Sequence, residues 1–468
     1  MSQRAAHGIE PLHCLVPLAV ACLLIFLSRG GIADIDLWWH RQIGEEIWRT
    51  GTVTGLGNDW APFGDREWST TQWLSEVASY WLHRWGQWEL FPPVRVLAAA
   101  ALFAALAFAI TWRRPARAAV PVFVLTALAV MPALTQDRAQ TAALLLCVPV
   151  SVWLVNSLSG RMPAWWKVAI LSVLWANLHG SWILVPAVML LISVTSVPAK
   201  DWEVARRGLI LAVVSLVGAL LNPLGPGLLV DLMRFSGRTG HLTEWQPTIL
   251  ADVASVPFAM IVVVLVSAWA RSRSAVPWRE ILVAVCLAAF AQLAFRNLLF
   301  ASILLAPLAA ERLSGLTTPR FARGAEARAL MLAAGVTSVL GLAAALVLSV
   351  QTDAVASASP TRIAAALARL DGPTRVLNDY NTAGVLVAFG GDGIELGIDG
   401  RADRYPAEYT DHYLAALATL RDWEKVVADV KPDRAVLETN SALSVHLRER
   451  GWTTVMTDGK YVLLEPPL

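Results

Sequence analysis

Eleven apolar runs, separated by connections that alternate between basic and nearly charge-free, constrain this chain more than any other feature of its sequence. They lie near residues 11–28, 93–112, 118–134, 141–158, 165–179, 181–197, 208–221, 252–270, 280–295, 297–313 and 329–350. A helix crosses the hydrocarbon layer with about 20 apolar residues, or fewer where neighbouring protein covers it. Only 16% of the residues are charged and 56% are hydrophobic, whereas soluble domains carry about 25% charged residues. The sequence therefore predicts a membrane all-α helical bundle of about eleven transmembrane helices over 1–350. The first run is read as a retained helix, because "FLSRGGIAD" offers no small-x-small cleavage site.

Every second connection is basic: "RRPAR" (113–117), "GRMPAWWK" (160–167), "KDWEVARR" (200–207), "RSRSAVPWR" (271–279) and "ERLSGLTTPRFARGAEAR" (311–328). The positive-inside rule assigns these to the cytoplasm. The N-terminus is then expected inside the cytoplasmic (inner) membrane, and everything after residue 350 outside. The long loop 29–92, "TQDRAQ" (135–140), "NLHGS" (177–181), "TEWQP" (243–247) and "FRN" (295–297) fall on the outer face as well. Polar groups near membrane depth are costly and mark sites or pathways. Here they converge on one side.

Several function classes are excluded or disfavoured. A net charge of +2 with no Lys/Arg-rich tract gives no footing for nucleic acid. The four cysteines lie in apolar runs, without metal-ligand spacing or a disulfide framework. No P-loop, G-x-G-x-x-G after a strand, G-x-S-x-G or zinc motif occurs.

Loop 29–92 holds nine of the 21 tryptophans, which suits a segment resting at the membrane interface. Two amphipathic helices are expected in it. Trp39, Ile43 and Ile47 form the stripe of the first. The second, in "STTQWLSEVASYWLHRWG", starts with Ser69 and Gln72 at capping-box spacing and stops at Gly86. "ADIDLWWH" (33–40) opens the loop. Asp36 has a plain reading as the N-cap of a helix starting at Leu37. It and Asp34 project to the same side of extended chain, so the pair can also hold a divalent cation, Mg or Mn, or divide base and orienting roles.

On these stretches the sequence resembles the polytopic glycosyltransferases of the GT-C class. These have a short first helix, a long extracytoplasmic loop with two interfacial helices, and an acidic residue or pair at the start of that loop. "WANLHGSW", "LNPLG", "TEWQP", "FRN" and "NDYNTAGVLVAF…GIDGRADRY" also look like a group of bacterial membrane proteins without an assigned substrate. The resemblance implies transfer of a sugar from a polyprenyl-phosphate-linked donor to a cell-envelope glycan, lipid or protein acceptor. It carries neither the tryptophan-rich acidic signature of oligosaccharyltransferases nor a full protein-mannosyltransferase signature.

Such chemistry needs a base, cations for the departing lipid phosphate and polar or aromatic walls for the sugar. Asp34 is the expected base, with Asp36 as the other catalytic carboxylate. Arg296 leads the phosphate candidates, because a guanidinium matches phosphate oxygens in pairs; its plain alternative is snorkelling. His40, Arg138, His179, Glu244 and Trp245 complete the donor-binding set. Arg138 has an alternative as partner of Asp137, His179 as a helix-end residue bonded to backbone, and Glu244 with Trp245 as ordinary interface residues.

A linker at 351–360 leads to a small extracytoplasmic α/β domain over 361–468. Strands are expected at 375–378, 384–389, 394–398 and 434–438, helices at 361–370, 408–420 and 441–449, and a D-G hairpin within 452–466. Asp399, Arg401 and Asp403 sit near strand ends and are candidates for acceptor recognition, with a self-satisfied Asp/Arg turn network as the alternative. Two other functions stay open: a transporter or flippase for an envelope lipid, and an envelope-assembly scaffold. A transporter would be expected to show paired broken helices and repeats, which the sequence lacks.

Overall fold

The computed structural model describes residues 10–63, 67–112, 114–236, 243–249, 252–273, 275–317, 322–356, 358–401 and 403–467. A 3-10 turn, Pro11–Cys14, leads into α1 (Leu15–Leu27). The first long loop contains α2 (Leu37–Thr50) and α3 (Trp73–Gly86). Apolar helices follow: α4 (Phe91–Thr111), α5 (Ala116–Leu134), α6 (Gln140–Ser157), α7 (Trp165–Leu178), α8 (Leu184–Ser196) and α9 (Trp202–Ala219). After the short α10 (Gly227–Ser236) come α11 (Val256–Arg271), α12 (Trp278–Leu293), α13 (Asn297–Ser314) and α14 (Gly324–Gln351). The remainder alternates: α15 (Thr361–Leu367), β1 (Thr374–Asn378), α16 (Ala383–Phe389), β2 (Ile394–Leu396), α17 (Ala407–Thr419), α18 (Trp423–Val430), β3 (Arg434–Glu438), α19 (Ala442–Glu449), β4 (Thr453–Asp458) and β5 (Tyr461–Glu465).

Each of the eleven expected apolar runs coincides with a helix. Among the described residues six helices are long and apolar enough to cross a membrane, ending in or spanning α4, α5, α6, α11, α13 and α14, while those built on α1, α7 and α8 are apolar but shorter. Length and composition thus support a multi-pass membrane protein without fixing the count at eleven.

The chain divides into two compact units. The helical unit comprises Met1–Gly31, Glu89–Gly225 and Gly240–Asp353. The second unit joins Ile32–Trp88 and Pro226–Thr239 to Ala354–Leu468. The first long loop therefore belongs with the C-terminal region rather than with the helices that flank it in sequence.

Within the helical unit the two sets of connections segregate. The basic ones meet one another: Arg114 closes the end of α4 by donating to Ala109 O (2.6 Å) and Ile110 O (3.0 Å) and pairs with Glu311 (3.6 Å), Arg312 pairs with Glu280, and Arg279 reaches Ser196 Oγ at 2.6 Å. The nearly charge-free connections meet at other helix ends. This is the arrangement that alternating spans produce. Between α7 and α9 a buried Ser172–Ser215 hydroxyl bond of 2.8 Å satisfies both groups away from water. Outward faces are apolar, as at Leu332, Val339 and Leu340 of α14.

The second unit is built on a five-stranded sheet in the order β2-β1-β3-β5-β4. β2, β1 and β3 are parallel, and β5 pairs antiparallel with β3 and with β4, so the expected hairpin is present. One expectation is corrected: 384–389 is helix α16, not a strand. Asp379 Oδ1 accepts the Asn381 N–H at 2.9 Å and Thr382 Oγ1 donates to Asp379 O at 2.7 Å, a local turn that starts a helix where the apolar run alone reads as strand.

The loop is fastened to this sheet by arginines. Arg401, fully buried, lies over the rings of Trp60 (5.1 Å) and Trp68 (5.3 Å) and donates to Leu56 O (2.8 Å), Gly57 O (2.9 Å) and Asp399. Arg404 donates to Ala61 O and to Asn58 Oδ1 (2.8 Å). Burial pushes the Asp399 carboxyl up, but the Arg401 charge and its hydrogen bonds outweigh this and hold it below the ordinary carboxylate range. Its contribution to stability is then complete above the unfolded value of about 4 and is lost as pH falls through the lower folded value. We expect Arg401→Met to strand a buried carboxylate and destabilise this unit by about 3–5 kcal/mol. We also expect the difference in thermal midpoint between wild type and Arg401→Met, which isolates the Asp399 pair, to shrink only below about pH 4. Thermal unfolding of the full chain in detergent, followed by tryptophan fluorescence across pH, checks both.

Candidate functional site

Helix α2 starts at Leu37, and Asp36 occupies its N-cap position, but the Asp36 side chain does not cap a backbone N–H. Its Oδ1 instead accepts the indole N–H of Trp39 at 3.0 Å, while Asp34 Oδ1 accepts the Asp36 N–H at 3.1 Å. Asp34 is buried, and Asp36 is partly exposed. The two carboxylates are thus linked through backbone and placed by different partners.

His40 follows one turn later. Its ring stacks on Trp39 (3.7 Å between centroids), its Nδ1 lies 3.0 Å from Glu76 Oε1, and Gln72 Nε2 lies 3.4 Å from its Nε2. Glu76 is only 1% exposed and had not been singled out from the sequence. The signal was there: Glu76 falls on the apolar stripe of α3 with Trp73, Val77 and Tyr80, where a charged residue needs a partner. The expected capping box is absent. Gln72 is the N-cap without a side-chain bond, and Ser69 Oγ turns to Asp231 Oδ2 at 3.3 Å.

In the helical unit a second unpredicted residue, Arg95, is buried near the start of α4. It donates to Leu27 O (3.2 Å), Gly31 O (3.1 Å) and Gly30 O and pairs with Asp137 at 2.9 Å. Leu27 O is an orphan carbonyl at the end of α1, and Gly30 O and Gly31 O belong to the loop that follows it, so one arginine satisfies both. A lone Arg in "FPPVRVLAAAALF" is itself an intramembrane signal.

The same unit gathers five of the expected donor-binding residues. Segment 244–248 runs along 291–296, with Arg296 N–H donating to Glu244 O (3.0 Å), Phe295 N–H to Gln246 O (3.0 Å) and Thr248 Oγ1 to Ala291 O (2.7 Å). This pairing sets Glu244 between two guanidiniums. Glu244 Oε1 receives Arg296 at 3.2 Å and Oε2 receives Arg138 at 3.3 Å. Arg296 also lies 4.6 Å over the Trp245 ring, and its Nη2 is 3.4 Å from His179 Nε2. Asp137, the alternative partner of Arg138, is engaged by Arg95.

The His179 tautomer follows from its other edge. Ser181 Oγ accepts the Trp175 indole N–H at 3.0 Å, so its own proton is available for His179 Nδ1 at 2.8 Å, which also accepts the Ser181 backbone N–H. With Nδ1 an acceptor, a neutral ring carries its proton on Nε2. Two donors, His179 Nε2–H and Arg296 Nη2–H, therefore stand side by side. Two arginines against one glutamate leave the cluster with an excess of positive charge.

Asp399, Arg401 and Asp403 are not arranged like a binding surface. Asp399 and Arg401 are fully buried against each other, Trp60 Nε1 donates to Asp399 Oδ2 at 3.2 Å, and Trp68 Nε1 donates to Asp403 Oδ1 at 2.9 Å. This is the Asp/Arg turn network, extended to the loop tryptophans. Among the described residues no group of three or more His, Cys, Asp or Glu is placed to hold a metal ion.

No protein-family model and no curated protein matches the sequence. The fold is similar to that of ArnT from Cupriavidus metallidurans, whose crystal structure is bound to undecaprenyl phosphate. The TM-score is 0.50, over 96% of this chain and 97% of that one, at 16% sequence identity.

Proposed function

We propose that the protein is a GT-C-type glycosyltransferase that moves a sugar from a polyprenyl-phosphate donor to a hydroxyl of a cell-envelope glycan, lipid or protein. The transfer takes place on the outer face of the cytoplasmic membrane. The observation that carries this reading is the cluster of Arg138, Arg296, His179 and Trp245. It is a set of anion donors at helix ends, in a chain folded like a protein that binds undecaprenyl phosphate. The alternation of basic connections supports the outer face.

In this reaction the acceptor oxygen attacks the anomeric carbon of the donor sugar. The bond from that carbon to the phosphate oxygen breaks, and the electron pair leaves with the polyprenyl phosphate. The acceptor proton passes to the Asp34 carboxylate. Asp36 holds Asp34 through its backbone N–H, and Trp39 holds Asp36. Within the helical unit, Arg296 and Arg138, with Glu244 as their shared counter-ion, are the groups proposed to hold the polyprenyl phosphate. His179 adds a neutral donor. Trp245 backs the Arg296 guanidinium and presents an aromatic edge to a sugar. His40, held by Glu76, remains a candidate contact for donor sugar or phosphate. No step is assigned to a metal.

Two outcomes are expected of the full chain in lipid nanodiscs, supplied with a panel of undecaprenyl-phosphate hexoses and pentoses and an envelope fraction as acceptor. Asp34→Asn keeps its thermal midpoint and loses about 10²–10⁴-fold in kcat, the range of a general base. Retention of full transfer by both Asp34→Asn and Asp36→Asn removes the catalytic reading. Arg296→Lys keeps the charge and loses the paired donors. Its donor KM rises about tenfold, read as donor dependence of undecaprenyl phosphate release, and an unchanged KM takes Arg296 out of phosphate recognition.

A further inference from the structure

The two polar stretches of the C-terminal region meet the acidic stretch at two glycines. Gly384 lies in the first turn of α16. A Cβ there would strike the Ile35 carbonyl oxygen and sit 3.2 Å from Trp38 Cβ and Cδ1. Gly400 lies in the turn after β2. A Cβ there would strike Asp36 Oδ1 and sit 2.8 Å from Trp39 Nε1, the two atoms of the bond that holds the Asp36 carboxylate. At Gly384 the clash is with backbone, and at Gly400 it is with the Asp36 carboxylate and the Trp39 indole, which a side chain would have to displace.

The surroundings make these contacts firm. Gly400 is flanked by Asp399 and Arg401, both fully buried and bonded to loop residues Trp60, Leu56 and Gly57. On the Gly384 side, the buried Trp38 ring packs on Trp88 (4.5 Å) and on Phe389 of α16 (5.5 Å). Residues 35–39 are therefore held between α16 and the 399–401 turn. The position of Asp36 passes to Asp34 through the 3.1 Å bond between them.

We propose that the C-terminal region is a positioning element of the transfer site. Gly384 and Gly400 set where the Asp34–Asp36 stretch lies, through close backbone contact that only glycine permits. The proposal rests on the reading of that acidic pair as catalytic. It gives the polar strand-end stretches a role other than acceptor recognition. A displacement of about 1 Å at a reacting group can cost on the order of 10²-fold in rate, so a methyl group at either glycine is enough to test it.

The test compares Gly384→Ala, Gly400→Ala and Trp39→Phe with Gly391→Ala. The last residue has a φ of +82°, and a Cβ there would meet Ala368 first, so its substitution strains the same region away from residues 35–39. The assay is the release of undecaprenyl phosphate by the full chain in nanodiscs, from whichever undecaprenyl-phosphate sugar of the panel wild type consumes. Gly384→Ala and Gly400→Ala are expected to lower kcat about 10–100-fold, with the donor KM within about twofold of wild type. Gly391→Ala is expected to lower the thermal midpoint with kcat close to wild type. Trp39→Phe removes the bond to Asp36 without crowding the backbone, and a kcat about tenfold down at unchanged KM carries the test even where a glycine variant does not fold. Wild-type kcat in Trp39→Phe and in the folded glycine variants overturns the proposal. So does a kcat loss in Gly391→Ala equal to theirs. Full activity of Asp34→Asn and Asp36→Asn is a different failure, because it removes the catalytic reading itself.

Discussion

Backbone carbonyls that water cannot reach must find donors inside the chain, and this protein meets that constraint repeatedly with arginine. Arg95 takes the carbonyls of Leu27, Gly30 and Gly31 at the end of the first helix. Arg114 takes those of Ala109 and Ile110, Arg401 those of Leu56 and Gly57, and Arg404 that of Ala61. An arginine suits the task because its fork spans several acceptors without losing its charge. Where these clamps act, they fix a helix end or a loop that the apolar surroundings alone would leave undetermined.

Arg296 differs from these clamps. Its side chain meets the Glu244 carboxylate, the His179 ring and the Trp245 face rather than carbonyls. Burying a guanidinium is costly, and the clamps offset that cost by satisfying backbone. Arg296 satisfies a carboxylate that Arg138 already shares. That arrangement sets Arg296 apart from the arginines that close a helix end or a loop.

Much of this was legible in the sequence, because it depends on local chemistry. The eleven apolar runs, the start of α2 at Leu37, β3 and the D-G hairpin follow from periodicity and turn residues. Arg138, His179, Glu244, Trp245 and Arg296 were picked out by helix-end position alone, and the alternation of charge implied that they could meet. Failures arose where a distant partner decides. The run 384–389 carries no period, so only the Asp379 turn marks it as helix. Asp399, Arg401 and Asp403 read as a polar binding surface until Leu56, Trp60 and Trp68, more than 300 positions earlier, fill their hydrogen bonds. Arg95 and Glu76 are hard to read from sequence because each sits inside an otherwise apolar or amphipathic helix, and their partners Asp137 and His40 lie 42 and 36 positions away.

The division of the chain has a consequence for how the acidic stretch at residues 34–36 is kept in place. Asp36 gives up its backbone cap, so α2 loses a local stabiliser worth about 1 kcal/mol, and Asp34 is buried away from solvent. Neither arrangement is one the loop would adopt from its own residues. The compensation comes from about 350 to 365 positions further along the chain, where two glycines allow backbone to lie directly against Ile35 and Asp36 and a buried ion pair fixes the turn that carries Gly400. A contact made by backbone rather than by a side chain has no rotamer to change, so it can hold a reacting group without adding a competing charge. On this view the C-terminal region is neither an appendage nor a separate recognition module. It is the part of the chain that makes an uncapped, buried acidic stretch a stable structure.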